Sequence, residues 1–304
     1  MSLPHPTPEW AAVTDAEAAA SAELRALIAT DIARSGGSIP FARFMELALY
    51  APGCGYYSAG QRKLGADGDF VTAPELTPMY GQCLARLFPP LRAALGAADI
   101  LEVGAGSGKL ARDILSALAR EDSLPRTYFI LEVSAELRAR QQQTLAAHPA
   151  LRARVQWLDA LPQSFRGLVL ANEVLDAMPV ERFVVRADGA HSLEVEINQD
   201  AFVWREGERH AAISERIAPL HLTVGYISEV NFAAEAWIRS MGEVLQAGLI
   251  LLVDYGFPRA EYYHADRGTG TLMCHYRHRA HADPLVLVGL QDITAHIDFS
   301  AIAA

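Results

Sequence analysis

The sequence predicts an α/β fold in which a parallel sheet is flanked by helices. The first observation is that apolar strand-like and amphipathic helix-like segments alternate from residue 99 onward. The second is the run ILEVGAGSG at residues 100–108, where an apolar strand leads into three glycines at alternate positions and a helical pattern follows at once. Such alternation forms right-handed βαβ units, which bind ligands at the carboxyl ends of their strands.

The hydrophobic pattern sets the expected elements of this core. We expect strands at residues 100–103, 127–132, 155–157, 168–171 and 249–256 and helices at residues 108–120, 134–147 and 230–246. The core therefore comprises residues 98–182 and 229–304. Residues 183–228 alternate in the manner of strands and predict a β-rich insertion.

An N-terminal helical extension, residues 1–97, precedes the core. Thr14 and Glu17 form a capping box ahead of a first helix, and a second helix is expected to begin near Pro40. The glycine-rich segment at residues 54–75 is too long and too aromatic for a simple linker. Segments of that length are often functional, so we expect this one to cover the ligand.

Composition excludes several classes of protein. The 304 residues carry a formal net charge of −10, which lacks the basic footprint of a nucleic-acid-binding protein. No apolar run approaches the roughly 18 residues that a membrane span needs, and the N-terminus does not resemble a secretory signal. We therefore expect a cytoplasmic protein without a membrane span.

The cysteine pattern does not predict a metal site. Cys54, Cys83 and Cys274 form no C-x-x-C pair. Cys274 lies close to several histidines, but Arg277 and Arg279 are interleaved with them and repel a cation. We expect reduced thiols and no metal.

The spacing of the glycines and the acid before them indicate which ligand the turn binds. A dinucleotide fingerprint has its third glycine three places after the second, and Lys109 occupies that position here. Glu102 at the end of the strand repels a pyrophosphate, whereas it attracts a ligand that carries an ammonium and a sulfonium. S-adenosylmethionine is such a ligand, so Gly104, Gly106 and Gly108 are expected to face it.

Further residues complete the predicted cofactor site. Glu132 ends the next strand, where a carboxylate can accept hydrogen bonds from both ribose hydroxyls. Asp159 is a candidate for the adenine amino group, while Gly68 and Thr72 are candidates for the methionine end. Together these residues favour a class I (Rossmann-like) methyltransferase fold with S-adenosyl-L-methionine as cofactor.

Polar residues after two further strands are candidates for catalysis. Asn172, Glu173 and Asp176 follow the fourth strand, and Asp254 ends the apolar strand near residue 250. Asn172 is also counted as a cofactor-binding candidate, and helix capping is the alternative interpretation of these residues. Paired carboxylates suit a guanidinium, because its forked donors match carboxylate oxygens. We therefore expect Glu173, Asp176 and Asp254 to be catalytic.

Several runs together resemble the MidA-like methyltransferases, whose mitochondrial members are known as a complex I assembly factor. The matching runs are GYY at 55–57, GDFVTAPE at 68–75, EVGAGSG at 102–108, NEVLDAMP at 172–179, DYG at 254–256, GTL at 270–272 and DITAHIDF at 292–299. The resemblance implies binding of S-adenosylmethionine through Glu102, the glycines and Glu132. It also implies protein arginine methylation, with a 49-kDa-type subunit of respiratory complex I as the suspected protein substrate.

Other functions stay open at this point. The chain could be a non-catalytic assembly chaperone that binds S-adenosylmethionine, or a methyltransferase of a small amine. An NAD(P)-binding oxidoreductase is disfavoured by the glycine spacing and by Glu102. We also count a homodimer among the possible assemblies.

Overall fold

The fold is described from a computed structural model, which describes residues 13–58 and 72–304. The helices are α1 (Asp15–Arg34), α2 (Phe41–Tyr50), α3 (Ala73–Leu76), α4 (Pro78–Ala85), α5 (Phe88–Leu95), α6 (Lys109–Arg120), α7 (Ala135–Ala146), α8 (Pro149–Arg152), α9 (Ala211–Ile217), α10 (Phe232–Val244), α11 (Arg259–Tyr262) and α12 (Phe299–Ile302). The strands are β1 (Ser38–Pro40), β2 (Asp99–Val103), β3 (Tyr128–Leu131), β4 (Val155–Leu158), β5 (Phe165–Asn172), β6 (Glu181–Arg186), β7 (Gly189–Asn198), β8 (Ala201–Arg209), β9 (Ile227–Val230), β10 (Leu245–Val253), β11 (Gly256–Phe257), β12 (Met273–Tyr276), β13 (Arg279–His281), β14 (Asp292–Thr294) and β15 (Ile297–Asp298).

A parallel five-stranded sheet forms the centre of the molecule and confirms the predicted α/β fold. Its strand order is β10-β5-β2-β3-β4, and every pairing in it is parallel. Val103 pairs with both Leu131 and Ala171, and Val253 pairs with Asn172. The carboxyl ends of these strands are therefore level with one another, so the polar residues that follow them meet at one edge of the sheet.

The helix α6 holds the glycine turn in place. Its apolar side chains, among them Leu110, Ile114 and Leu118, are buried in a cluster with Ile100 and Ile130 of the central sheet. This amphipathic packing fixes the start of α6 against β2. The turn that joins the two elements is consequently a rigid part of the core.

A second, antiparallel sheet forms the predicted β-rich insertion. It has the order β1-β7-β6-β9, with β8 paired to β7, and it lies in the chain between β5 and α10. Strand β1 comes from the N-terminal extension and pairs with β7, which the sequence analysis did not predict. The boundaries between extension, core and insertion stay predictions.

The first two helices, α1 and α2, pack on this second sheet, whereas α4 and α5 pack on the central core. Phe44 of α2 contacts Phe202 edge-on, with ring centroids 5.5 Å apart, and Phe41 lies 5.0 Å from the ring of Trp204. These rings belong to one buried cluster that also includes residues of α1. Extension and insertion therefore share a core.

One edge of the central sheet is open in the part of the chain that the structure describes. Strand β10 pairs with β5 on one side and with no described strand on the other. Leu249 of this strand is 41% exposed. The backbone groups along the outer side of β10 are left without a ladder partner.

None of the helices described over 13–58 and 72–304 combines the length and the apolar character that a bilayer crossing requires. The same residues contain no group of three His, Cys, Asp or Glu side chains arranged to hold a metal ion.

Candidate active site

A large cavity lies at the carboxyl ends of the central strands. Its volume is about 1040 Å³. Nine of the twelve predicted site residues line it, namely Thr72, Glu102, Gly104, Gly106, Glu132, Asp159, Asn172, Glu173 and Asp176. Gly68 lies outside the described residues, and Gly108 and Asp254 are not part of the cavity wall.

The glycine turn forms the floor of the cavity. Gly104 has φ +65° and Gly106 has φ +50°, both in the left-handed region. A Cβ atom on Gly104 would lie 3.1 Å from Cγ2 of Val174, so the space above the turn is narrow. Gly108 is the N-cap of α6 with φ +79°, where a Cβ atom would lie 3.0 Å from Cα of Gln141, and its contact with the cofactor stays a prediction. Because glycine has no Cβ atom, a ligand can approach the backbone here more closely than it could at any other residue type.

Glu102 lies beneath this turn and is almost completely buried. The hydroxyl of Tyr128 donates a hydrogen bond of 2.7 Å to its carboxylate. Burial raises the pKa of Glu102 to about 7, against the opposing effect of that hydrogen bond. A cation placed over the carboxylate would offset the loss of hydration, so the site fits a cationic ligand better than an anionic one.

Glu132 is buried at the end of β3 and is joined to the glycine turn. The backbone N–H of Ser134 donates to one carboxylate oxygen over 2.9 Å, and Nε2 of Gln141 donates to the other over 2.8 Å. Nε2 of Gln141 also lies 3.1 Å from the carbonyl oxygen of Gly106, to which it donates. Gln141 thus couples the acid to the turn, a role that no sequence motif indicated.

Asp159 occupies a different environment from the other acids. Its side chain is 89% exposed and forms an ion pair of 2.7 Å with Arg138. Asp159 lines the cavity, and its contact with the adenine stays a prediction.

Glu173 is held at the edge of the cavity in an unusual backbone conformation. Its φ is +52°, which is rare for a residue with a side chain. Its N–H donates to the carbonyl of Val253 over 2.8 Å, and Nδ2 of Asn172 donates to its carboxylate over 3.3 Å. The hydroxyl of Tyr80 in turn donates to Oδ1 of Asn172. Burial raises the pKa of Glu173.

Asp254, which was predicted to be catalytic, hydrogen-bonds to the backbone and does not line the cavity. One carboxylate oxygen accepts hydrogen bonds from the N–H groups of Leu175, at 2.9 Å, and Asp176, at 3.2 Å, and the other accepts from the N–H of Tyr255 at 2.8 Å. Because its oxygens are turned to the backbone and it does not line the cavity, the geometry favours a positioning role over a catalytic one.

Asp176 contrasts with Asp254. It lines the cavity although it is only 7% exposed, and one of its carboxyl oxygens has no hydrogen-bond partner among the described residues. Burial and the neighbouring carboxylates, Asp254 first among them, raise the pKa of Asp176 well above its ordinary value. Burial also raises the pKa of Asp254, against several backbone donors. Asp176 has fewer hydrogen-bond donors than Asp254 to offset the effect of burial on its pKa.

Sequence reasoning did not assign several residues that line the cavity. Glu75 accepts a hydrogen bond from the hydroxyl of Ser107 and forms an ion pair of 3.0 Å with Lys109, which fixes α3 over the glycine turn. Asp292 and Tyr57 also line the cavity, and the Tyr57 hydroxyl donates to Asp292 over 2.9 Å. All three lie in runs that carry the family resemblance, which was the available signal.

A parallel sheet with this strand order, a glycine turn with G-x-G-x-G spacing after its central strand and an acid after the next strand fit a class I S-adenosylmethionine-dependent methyltransferase. A model of one protein family, described as "Putative S-adenosyl-L-methionine-dependent methyltransferase", matches residues 82–304. The chain belongs to this family, and the MidA-like resemblance is confirmed. The enzymes of this family use S-adenosyl-L-methionine, and this finding decides against the nicotinamide alternative.

Curated relatives match most of the chain. "Protein arginine methyltransferase NDUFAF7 homolog, mitochondrial" from Caenorhabditis elegans is 28% identical, over 88% of this chain and 68% of its own length. "Protein arginine methyltransferase NDUFAF7, mitochondrial" from Homo sapiens is also 28% identical, over 88% of this chain and 65% of its own length. The chain thus spans about two thirds of the length of these relatives.

A solved structure is more similar. The crystal structure of a superfamily member from Burkholderia thailandensis bound to S-adenosyl-homocysteine is 49% identical and has a TM-score of 0.90. The match covers 99% of this chain and 78% of that one. A native crystal structure from the same organism gives 48% identity and a TM-score of 0.88.

Proposed function

We propose that the chain transfers a methyl group from S-adenosylmethionine to a guanidinium nitrogen of a protein arginine. The observation that carries the proposal is the charge of the cavity wall. Nine carboxyl side chains and one guanidinium line it: Glu46, Glu75, Glu102, Glu132, Asp159, Glu173, Asp176, Glu181 and Asp292, with Arg43 as the cation. Such a wall attracts cationic groups and repels phosphates.

The size of the cavity supports two occupants. Small-molecule sites have volumes of roughly 300–1000 Å³, and this cavity of about 1040 Å³ stands at the upper limit. A cofactor over the glycine turn therefore leaves space for a substrate side chain beside Asn172 and Glu173. The names of the curated relatives support arginine as that side chain.

The mechanism follows from the positions of the cavity residues. Glu102, Glu132 and the glycine turn would hold the cofactor, and when bound it supplies an electrophilic methyl group. Glu173 would hold the guanidinium through a forked pair of hydrogen bonds and orient one nitrogen toward the methyl carbon. A carboxylate there would also accept the proton that the nitrogen loses.

The protein that carries the arginine belongs to the proposal as well. We propose a 49-kDa-type subunit of respiratory complex I, as the family resemblance implies. The curated relatives are named as mitochondrial, whereas the Burkholderia thailandensis protein comes from a bacterium. For this chain a cytoplasmic location and a homodimer stay proposals.

Substitution of Glu173 tests the proposed chemistry. Glu173→Gln removes the charge and the proton acceptor, so methyl transfer should fall by a factor of about 100 or more, while affinity for S-adenosylhomocysteine should stay within about twofold, since the residue faces the substrate. The measurement is mass spectrometry of a 49-kDa-type subunit incubated with labelled cofactor.

The exposed acid Asp266, whose side chain is 92% exposed, supplies the control variant Asp266→Asn, which should label like the wild type. Full labelling by Glu173→Gln would remove that residue from the mechanism. An absence of labelling by every protein, despite tight cofactor binding, would favour the assembly chaperone instead.

Replacing the target arginine by lysine should abolish the product, because lysine lacks the planar fork.

A further inference from the structure

Two buried carboxyls from distant parts of the chain face the inner end of the cavity. Asp176 follows β5 and is 7% exposed, and Asp292 begins β14 and is 2% exposed. Both line the cavity. The N–H of Ala295 donates to the carbonyl of Asp176 over 2.9 Å, so the two segments are joined by their backbones.

The side chain of Asp176 leaves an oxygen available to a ligand in the cavity. One of its carboxyl oxygens lacks a hydrogen-bond partner among residues 13–58 and 72–304. Buried oxygens without partners are rare in native proteins, and each calls for a ligand, a water or a proton. Since this oxygen belongs to a residue of the cavity wall, a ligand in the cavity can supply the missing donor.

Asp292 is fixed in its orientation by its neighbours. Its Oδ1 atom accepts hydrogen bonds from the Tyr57 hydroxyl at 2.9 Å and from the N–H of Ile293 at 3.0 Å. The ring of Tyr57 stacks on the ring of Tyr50, with centroids 5.5 Å apart, and both rings line the cavity. Aromatic faces beside carboxylates suit a flat cation.

We propose that Asp292 determines substrate specificity, and that Asp176 and Asp292 bind the cationic head of the substrate together with Glu173 while Asp176 releases a proton. This inference rests on the proposed function, because it takes the substrate to be a cation. The O–H bond of the Asp176 carboxyl breaks, the proton passes to the solvent, and the carboxylate remains as an ion pair with the cation.

The charges around Asp176 favour its protonated form before the substrate enters. The groups that face it are Asp254, Asp292, Glu173, Tyr50, Tyr57 and Tyr255. Burial, followed by the charges of Asp254, Asp292 and Glu173, raises the pKa of Asp176. None of these neighbours is a cation. A guanidinium would supply the missing positive charge and reverse the effect.

Infrared spectroscopy of the whole protein at pH 7 tests the proposal. The difference between the wild-type and Asp176→Asn spectra should show the C=O band of one protonated carboxyl, which separates Asp176 from Glu102, whose pKa of about 7 leaves it partly protonated at this pH. Methylguanidinium at saturation should remove the band, whereas methylurea, a neutral molecule of the same shape, should not. Asp292→Asn should weaken methylguanidinium binding by about tenfold or more and lessen the band, because a like charge beside Asp176 is gone.

Two further variants complete the experiment. Tyr57→Phe removes the donor to Asp292 without altering either carboxyl, and it should weaken methylguanidinium binding to a smaller extent than Asp292→Asn. Asp266→Asn, an exposed acid outside the cavity, should behave like the wild type. Binding of S-adenosylhomocysteine reports that each variant is folded.

A difference spectrum without the band, or a band in it that persists with methylguanidinium at saturation, would overturn the proposal. Unchanged methylguanidinium affinity in Asp292→Asn would overturn the role of that residue. None of these measurements requires methyl transfer. Arginine methylation with an unchanged band would refute this inference alone, and the expected spectra without arginine methylation would refute the proposed function alone.

Discussion

Gly106 shows at the scale of one residue how the cofactor site depends on the backbone. Its φ of +50° is costly for a residue with a Cβ atom, and it lines the cavity wall. Backbone strain and obstruction of the ligand are separate effects. A second glycine with a positive φ outside the site can therefore help to distinguish them.

We expect Gly106→Val to abolish measurable binding of S-adenosylmethionine while the protein stays folded. The branched side chain would occupy the space over the turn, in addition to a strain of roughly 1–2 kcal/mol. Titration calorimetry measures the binding. Gly96→Val is the matched control, because Gly96 has φ +76° and open space around its Cβ position. Normal affinity in folded Gly106→Val would place the cofactor elsewhere.

Glu102 predicts a pH dependence of cofactor binding. Its pKa of about 7 means that the carboxyl is largely protonated in the free enzyme below that pH. The cationic cofactor binds the ionised form, so the Kd for S-adenosylmethionine should rise by up to about tenfold for each pH unit below 7. Glu102→Gln should bind more weakly at pH 8 and show a much flatter profile. A wild-type Kd that is constant through this range would contradict the assignment.

The sequence predicted residues of the cofactor side because their signals are local. Gly104, Gly106 and Glu102 follow one another along the chain, and Glu132 ends the next strand. Gln141 escaped prediction because a glutamine within a helix has no distinguishing pattern. Only the fold brings it within hydrogen-bonding distance of Glu132.

At the scale of elements, strands in the core were predicted to within a few residues because each is an apolar run bounded by polar residues. Strand β1 was missed, since it has three residues and pairs with β7, whose residues lie more than 150 positions further along the chain. Strand β10 begins at Leu245, four residues before the predicted start. The strand starts earlier because Leu245 pairs with Phe165 of β5, with a register irregularity between Leu245 and Ala247.

The end of β10 also positions the turn that follows β5. Asp254→Asn should lower the free energy of unfolding by about 1.5–3 kcal/mol, because hydrogen bonds from the backbone to a charged group are lost or weakened. Methyl transfer should fall with it, since Asp176 and the preceding Leu175 lose their anchor. Urea unfolding measures the stability. Asp266→Asn should leave the stability unchanged, and equal stability of both variants would argue against the positioning role.

At the scale of the whole molecule, the cavity wall combines segments that the sequence places far apart. Tyr57 comes from the N-terminal extension, Asp176 from the core and Asp292 from the last part of the chain. The net charge of −10 indicated an acidic protein. Composition did not reveal that nine acids would face one cavity, because that depends on the docking of three regions.

Strand β10 has no neighbour on its outer side among residues 13–58 and 72–304, which affects how molecules of this protein meet one another. An unpaired edge strand with an exposed leucine, Leu249, can act as a template for a strand of another molecule. We expect the 304-residue chain to self-associate as its concentration rises, and sedimentation velocity can detect this. Leu249→Lys should shift association to concentrations about tenfold higher, through an added charge worth roughly 1.4 kcal/mol.

Leu27→Lys, at a leucine of α1 with a similar exposure of 38%, is the control and should associate like the wild type. A wild type that stays monomeric at every concentration would refute the expectation. If the protein does self-associate, the yield of active enzyme on refolding should fall as the protein concentration increases. The edge strand of one folding chain would then pair with a strand of another before each chain has folded its own core. Colloidal behaviour, and with it the ease of purification, would then depend on a nine-residue strand that does not line the cavity.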